Sequence, residues 1–96
     1  MKTLEDFKTK EQDSWKKFSS SSKIVAVLYF HEPKKGGLDK EQIRERLMDL
    51  KKRDIEGSLK LLKKYYEVTT LKGGETERYI LSRGTRELFR RTYSGI

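Results

Sequence analysis

The 96-residue chain has no cysteine, one proline and one histidine. Without cysteine, disulfide staples and thiolate metal sites are excluded, and the fold must rest on its apolar core. A lone histidine cannot complete a metal site; at the end of a candidate helix, His31 reads as a dipole partner or a partly buried side chain. Long apolar runs are missing too: the longest, Ile24 to Phe30, falls far short of the ~20 residues of a spanning helix. Met1 to Phe18 mixes charges of both signs and lacks the apolar stretch of a signal peptide, so a soluble, cytoplasmic chain is expected. There is no Gly-x-x-x-x-Gly-Lys loop, no HExxH and no Ser/His/Asp set. Asp39, Glu41 and Glu45 lie beside Arg44 and Arg46 on one helix, where surface ion pairs account for them. The expectation is therefore a non-enzyme with no catalytic residue, metal or cofactor. Asparagine is absent and glutamine occurs twice, against abundant Lys and Glu, a composition that leans towards a heat-adapted, thermophile source.

What the chain does have is positive charge. Lys and Arg number 23 against 15 acidic residues, for a net +8, which favours polyanions, nucleic acid ahead of an anionic membrane surface. The charge is concentrated. Lys34 to Lys64 holds eleven basic and six acidic residues, and Ser82 to Ile96 four and one, whereas Tyr65 to Leu81 comes to −1.

Ser19 to Ser22 reads as a short flexible joint whose last member caps a following helix. It divides an N-terminal amphipathic extension, 1–21, from a main domain, 22–96. In the extension Leu4, Phe7, Trp15 and Phe18 share one face of a short helix, to pack either on its own domain or on a second copy. Lys23 to His31 suits a helix or a buried strand by periodicity, and the lack of a partner strand for nearly forty residues favours the helix. Pro33, Lys34, Lys35, Gly36 and Gly37 form a basic turn. Asp39 is an N-cap with Gln42 at capping-box spacing, opening a helix to about Leu50 with Ile43, Leu47 and Leu50 inward.

Asp54 to Tyr65 is the most informative stretch. Ile55, Leu59, Leu62 and Tyr66 form a core-facing stripe, and the opposite face carries Arg53, Gly57, Lys60 and Lys64. Tyr66 to Lys72 and Glu75 to Leu81 then read as strands around a two-residue Gly73-Gly74 hairpin. That register sets Lys72 against Glu75 and Val68 against Tyr79, with Tyr66, Val68, Tyr79 and Leu81 on the core face. Leu71 and Ile80 are left on the other face, a candidate seat for Trp15 and Phe18. Ser82 caps a last helix to about Tyr93, with Leu88 and Phe89 inward and Arg83, Arg86, Arg90 and Arg91 largely outward.

In this order the elements resemble a winged helix-turn-helix domain, over about Ser22 to Tyr93. Three patterns carry the resemblance. Gly37-Leu38-Asp39 before Glu41, Ile43 and Leu47 is similar to the family's lead into its second helix. Ile55, Leu59, Leu62 and Val68 are similar to its recognition helix and first wing strand. Tyr79, Leu81, Ser82 and Gly84 resemble its strand exit. Where many relatives place Gly after the recognition helix, this chain has Tyr66. The resemblance implies a mainly α fold with a small antiparallel hairpin (α+β), a three-helix core plus wing and a C-terminal helix.

It also implies a sequence-specific, double-stranded DNA-binding transcriptional regulator of the nucleoid. Helix 54–65 would enter the major groove, with the 66–81 hairpin as wing. Arg53, Gly57, Lys60 and Lys64 would then face the groove, Arg53 reading guanine, while Lys51, Lys52, Lys63 and Ser58 would meet phosphates. Lys72 and Arg78 would serve the wing. A homodimer through the N-terminal or C-terminal helix is expected. The alternative is a winged-helix protein-protein interaction module of a transcription or replication complex, suggested by an uncovered patch of Leu71, Ile80, Trp15 and Phe18. RNA ranks lower, because its duplex major groove is too narrow for a helix.

Overall fold

A computed structural model describes residues 3–31, 36–72 and 74–93. Pro33, Lys34 and Lys35 of the basic turn, and Gly73 of the hairpin, lie outside the described residues. The fold is α+β. In chain order it runs α1 (Leu4–Lys10), α2 (Gln12–Trp15), α3 (Ser20–Phe30), α4 (Lys40–Arg46), α5 (Lys52–Lys64), β1 (Val68–Lys72), β2 (Glu77–Leu81) and α6 (Arg83–Thr92). No helix among these residues is long and apolar enough to cross a membrane.

The serine run is helix rather than joint. Ser19 is the N-cap of α3, its hydroxyl accepting from the Ser22 N–H at 3.1 Å, and Ser20 to Ser22 form the first turn, where serine is tolerated because several backbone N–H groups lack helical partners anyway. Ile24, Ala26, Val27 and Leu28 of α3 are buried. At its far end the Arg86 guanidinium donates to the Tyr29 carbonyl at 3.2 Å, covering a group the helix leaves open, and lies over the Tyr29 ring at 5.1 Å. Arg86 is thus a structural residue rather than an outward one.

The α1–α2 arm docks on the body of the chain, but not where Leu71 and Ile80 suggested. Phe7 is fully buried and its ring meets those of Trp15, Phe18, Phe30, Phe89 and Tyr93 at centroid distances of 4.9 to 6.3 Å. The seat is therefore the aromatic ends of α3 and α6. Of the two inward residues expected in α6, Phe89 is buried and Leu88 is not, at 64 % exposed. Lys23 joins the arm to the next layer: its ammonium lies 2.6 Å from Asp49 and 5.5 Å from the Trp15 ring centroid.

The Asp39 capping box forms as expected, with Gln42 N to Asp39 Oδ1 at 2.9 Å and Asp39 N to Gln42 Oε1 at 3.0 Å. The helix it opens is shorter than the sequence suggested, stopping at Arg46; Leu47 is buried and Leu50 partly so in the turn that leads to α5. Helix α5 starts earlier than Asp54, at Lys52. Lys51 is its N-cap, and Asp54 in the first turn accepts the Lys51 N–H at 3.3 Å.

Tyr66 leaves the inward stripe that Ile55, Leu59 and Leu62 keep. It is 84 % exposed and takes φ 59°. The Glu67 N–H reaches back to the Leu62 carbonyl at 2.8 Å and the Tyr66 N–H to Lys63 at 3.1 Å, which is the Schellman ending with tyrosine in the left-handed seat that glycine usually fills. That turn delays β1 to Val68. The strand register is displaced accordingly: Val68 pairs with Leu81, Thr70 with Tyr79 and Lys72 with Glu77, so Glu75 and Thr76 fall outside β2. Ser82 fixes this offset, since its N–H donates to the Glu67 carbonyl and its hydroxyl lies 2.7 Å from the Tyr66 carbonyl. A two-residue slip preserves the faces, so Val68, Tyr79 and Leu81 are still the buried ones. On its other edge β2 exchanges two hydrogen bonds with Leu38, at 2.8 and 3.1 Å, through Tyr79. The hairpin is thereby tied to the segment that leads into α4.

Candidate nucleic-acid interface

Helix α5 is held by Ile55, Leu59 and Leu62, each 2 % exposed or less. Three anchors at helical spacing leave the opposite side of the cylinder in solvent, where Arg53, Gly57, Lys60 and Lys64 are all exposed. Lys51 and Lys52 extend this cationic strip at the N-terminal end. Gly57 sits mid-strip with no atom within 4 Å of the place a Cβ would occupy, so nothing within the protein requires glycine there.

Two expected members do not belong to the strip in the same way. Ser58 is only 8 % exposed, between buried Leu59 and Ile55, and so is turned from any phosphate on that face. Lys63 is exposed but engaged, its ammonium 3.1 Å from Glu77 Oε1 on β2. The Tyr79 hydroxyl donates to the other oxygen of Glu77 at 3.0 Å. These two donors hold the Glu77 carboxyl below the usual glutamate range. Burial, then the neighbouring carboxylate, pushes the Tyr79 phenol up to about 12, so it stays a neutral donor. The Lys63–Glu77–Tyr79 chain fixes the hairpin beside α5.

On the hairpin, Lys72 is exposed and Arg78 only partly. The Arg78 guanidinium folds against Gly36, where an added Cβ would lie 3.1 Å from a terminal nitrogen. It braces the turn before α4 instead of reaching outward. The structure adds two cations that the sequence reading did not assign to the interface. A shallow groove between α4 and α5 is lined by Lys40, Glu41, Arg44, Lys52, Ile55 and Glu56, which brings exposed Lys40 and Arg44 alongside the α5 strip. Periodicity gave no signal for Lys40, which lies three residues before Ile43 and seven before Leu47, on the same side of a helix as those core positions.

Among the described residues, no group of three or more His, Cys, Asp or Glu side chains is arranged to hold a metal ion. No protein-family model, curated protein or solved structure matches the chain. The functional reading therefore stands on the geometry itself.

Proposed function

We propose that the chain is a winged helix-turn-helix protein that binds double-stranded DNA. In this reading α3, α4 and α5 are the three-helix core, α5 enters the major groove, and β1–β2 is the wing. The observation that carries it is the two-sided character of α5: an aliphatic side seated in the core and an exposed side of Arg53, Gly57, Lys60 and Lys64. The pairing of Leu38 with the inner edge of the hairpin supports the same fold assignment, because it joins the lead into α4 to the wing.

Arg53 offers a fork to guanine, and Lys51, Lys52, Lys40 and Arg44 offer point charges or forks to phosphates. Gly57 admits close approach of the helix backbone to the groove floor. Lys72 remains for the wing phosphates. A homodimeric transcriptional regulator would set two α5 helices roughly 34 Å apart on one DNA face. The apolar groove lined by Phe18, Val25, Leu62, Leu88, Phe89 and Tyr93, among others, supports a seam along α6. The second reading is a protein-contacting module; Leu61 and Leu88, 50 % and 64 % exposed, favour it, whereas Trp15 and Phe18 serve the aromatic core instead.

The test is a duplex-DNA titration at two salt concentrations. Replacing Arg53, Lys60 and Lys64 together with Ala should weaken binding at both salt concentrations and relax its sequence preference. Gly57→Ala should stabilise the free protein by about 1 kcal/mol while weakening its complex. Unchanged affinity in both variants refutes the placement of α5.

A further inference from the structure

The chain has ten aromatic side chains, four Phe, five Tyr and one Trp. Seven are joined by ring contacts in the cluster around Phe7 and Phe89, and Tyr79 is buried at 2 %. The two that remain are adjacent in sequence. Tyr65 and Tyr66 are 62 % and 84 % exposed. Both stand where α5 ends and the hairpin begins.

Tyr66 is held there at a cost. Its φ of 59° is a left-handed conformation that strains a bulky side chain, and a ring so exposed gains little burial to offset that strain. Local strain without a packing reason motivates a functional one. The backbone beneath the ring is pinned by the Schellman bonds and by Ser82, so the ring is carried on a fixed base. Around the pair the surface is cationic. The Lys64 ammonium lies 5.7 Å from the Tyr65 ring centroid, and Lys60 is exposed one turn earlier on the same helix.

Solvent-exposed rings beside ammonium groups, one of them lying over Tyr65, match the chemistry of unpaired bases on a phosphate backbone. An apolar protein partner fits less well, because Lys60, Lys63 and Lys64 interrupt any continuous apolar area around Leu61. We propose that Tyr65 and Tyr66 are a stacking platform for unpaired bases of single-stranded DNA adjoining the bound duplex. The platform deepens the DNA-binding reading above and rests on it: α5 takes the duplex, and the end of α5 takes the strand that leaves it. Stacking tolerates any base, so the platform recognises a junction or an opened end rather than a sequence.

The experiment compares three fluorescent DNAs against the full chain: a blunt duplex, the same duplex with a single-stranded overhang, and the isolated strand. The overhang should raise affinity about tenfold over the blunt duplex, the factor expected for one stacked base. In a Tyr65→Ala, Tyr66→Gly double variant that preference should vanish while blunt-duplex affinity stays. Tyr65→Phe should keep it. Glycine suits the left-handed backbone at 66, so the double variant retains its fold, as a thermal melt will register. Equal binding of blunt and overhang duplexes by the wild type, or a preference that survives the double variant, overturns the platform while leaving the duplex reading intact. Binding to none of the three DNAs overturns both and assigns the tyrosines to a protein partner.

Discussion

One methyl group at Gly37 should undo the link between the hairpin and the start of α4. A Cβ there would lie 2.5 Å from the Tyr79 carbonyl oxygen, 2.8 Å from Ile80 Cγ2 and 3.0 Å from the Tyr79 carbonyl carbon. Two of the three are backbone atoms of a paired strand and cannot rotate away. The φ of Gly37 is also 73°, which costs an L-residue about 1–2 kcal/mol. To relieve the overlap, residue 37 must move off β2, and the adjoining Leu38–Tyr79 pair would then lose its two backbone hydrogen bonds, worth about 1 kcal/mol each. The reduced freedom of alanine in the unfolded chain returns about 0.4–1 kcal/mol. The net loss is on the order of 2–4 kcal/mol. In urea, at a slope of about 1 kcal/mol per molar, the unfolding midpoint should fall by roughly 2 M or more. Gly57→Ala, with open space around it, is the matched control and should move the midpoint upwards. A Gly37→Ala protein within about 1 kcal/mol of wild type would refute the close approach and the pairing built on it.

Two further outcomes follow from charged contacts. Lys63 and Tyr79 both favour the ionised Glu77, so its folded pKa lies below its unfolded one. The stability it contributes is present above the ordinary glutamate range and is lost as pH falls through the depressed value. Thermal melts from pH 6 down to roughly pH 3 should therefore show a steeper loss in the wild type than in Glu77→Gln, and parallel curves would show that the bridge is idle. Asp49→Asn should destabilise by about 1–2 kcal/mol, discounted for the half-exposed carboxylate, because it leaves a largely buried Lys23 ammonium with a weaker partner. Urea unfolding of Asp49→Asn alongside Lys23→Met separates the pair from the packing of the stem; equal stability of Asp49→Asn and wild type would mean the contact contributes nothing.

Much of this architecture was legible in the residues because it depends on local rules. Ile55, Leu59 and Leu62 announce a helix face by spacing, and Asp39 with Gln42 announces a helix start by side-chain chemistry. The exposed positions of Arg53, Lys60 and Lys64 follow from the same spacing. Where long-range docking decides, the residues are silent. Nothing about Trp15 or Phe18 says that they join Phe7 in the aromatic cluster instead of covering Leu71 and Ile80. An even slip of the hairpin leaves the alternation of Val68, Tyr79 and Leu81 untouched, so periodicity could not detect it. Tyr66 misled twice, as a helix anchor and as a strand residue, because a tyrosine in a left-handed turn runs against its own preference. Leu88 misled because hydrophobicity alone does not say which side of α6 the core lies on. Ser58 was legible by spacing, three residues after Ile55 and four before Leu62 and so on the core side, whereas Lys63 differs from its neighbours on α5 only through the Glu77 that the fold brings against it.

Phe7 meeting Phe89 and Tyr93 has a consequence for biosynthesis. The innermost ring of the aromatic cluster comes from α1, and two of the rings that enclose it come from α6 and its C-cap, more than eighty residues later. On a ribosome, α3, α4 and α5 emerge before that enclosure can be completed, so Phe7 and Trp15 wait unsheathed until α6 has cleared the exit tunnel. The helical core can assemble early, the seal follows only once α6 is out, and a chain stalled before Phe89 would display a greasy face to chaperones and proteases.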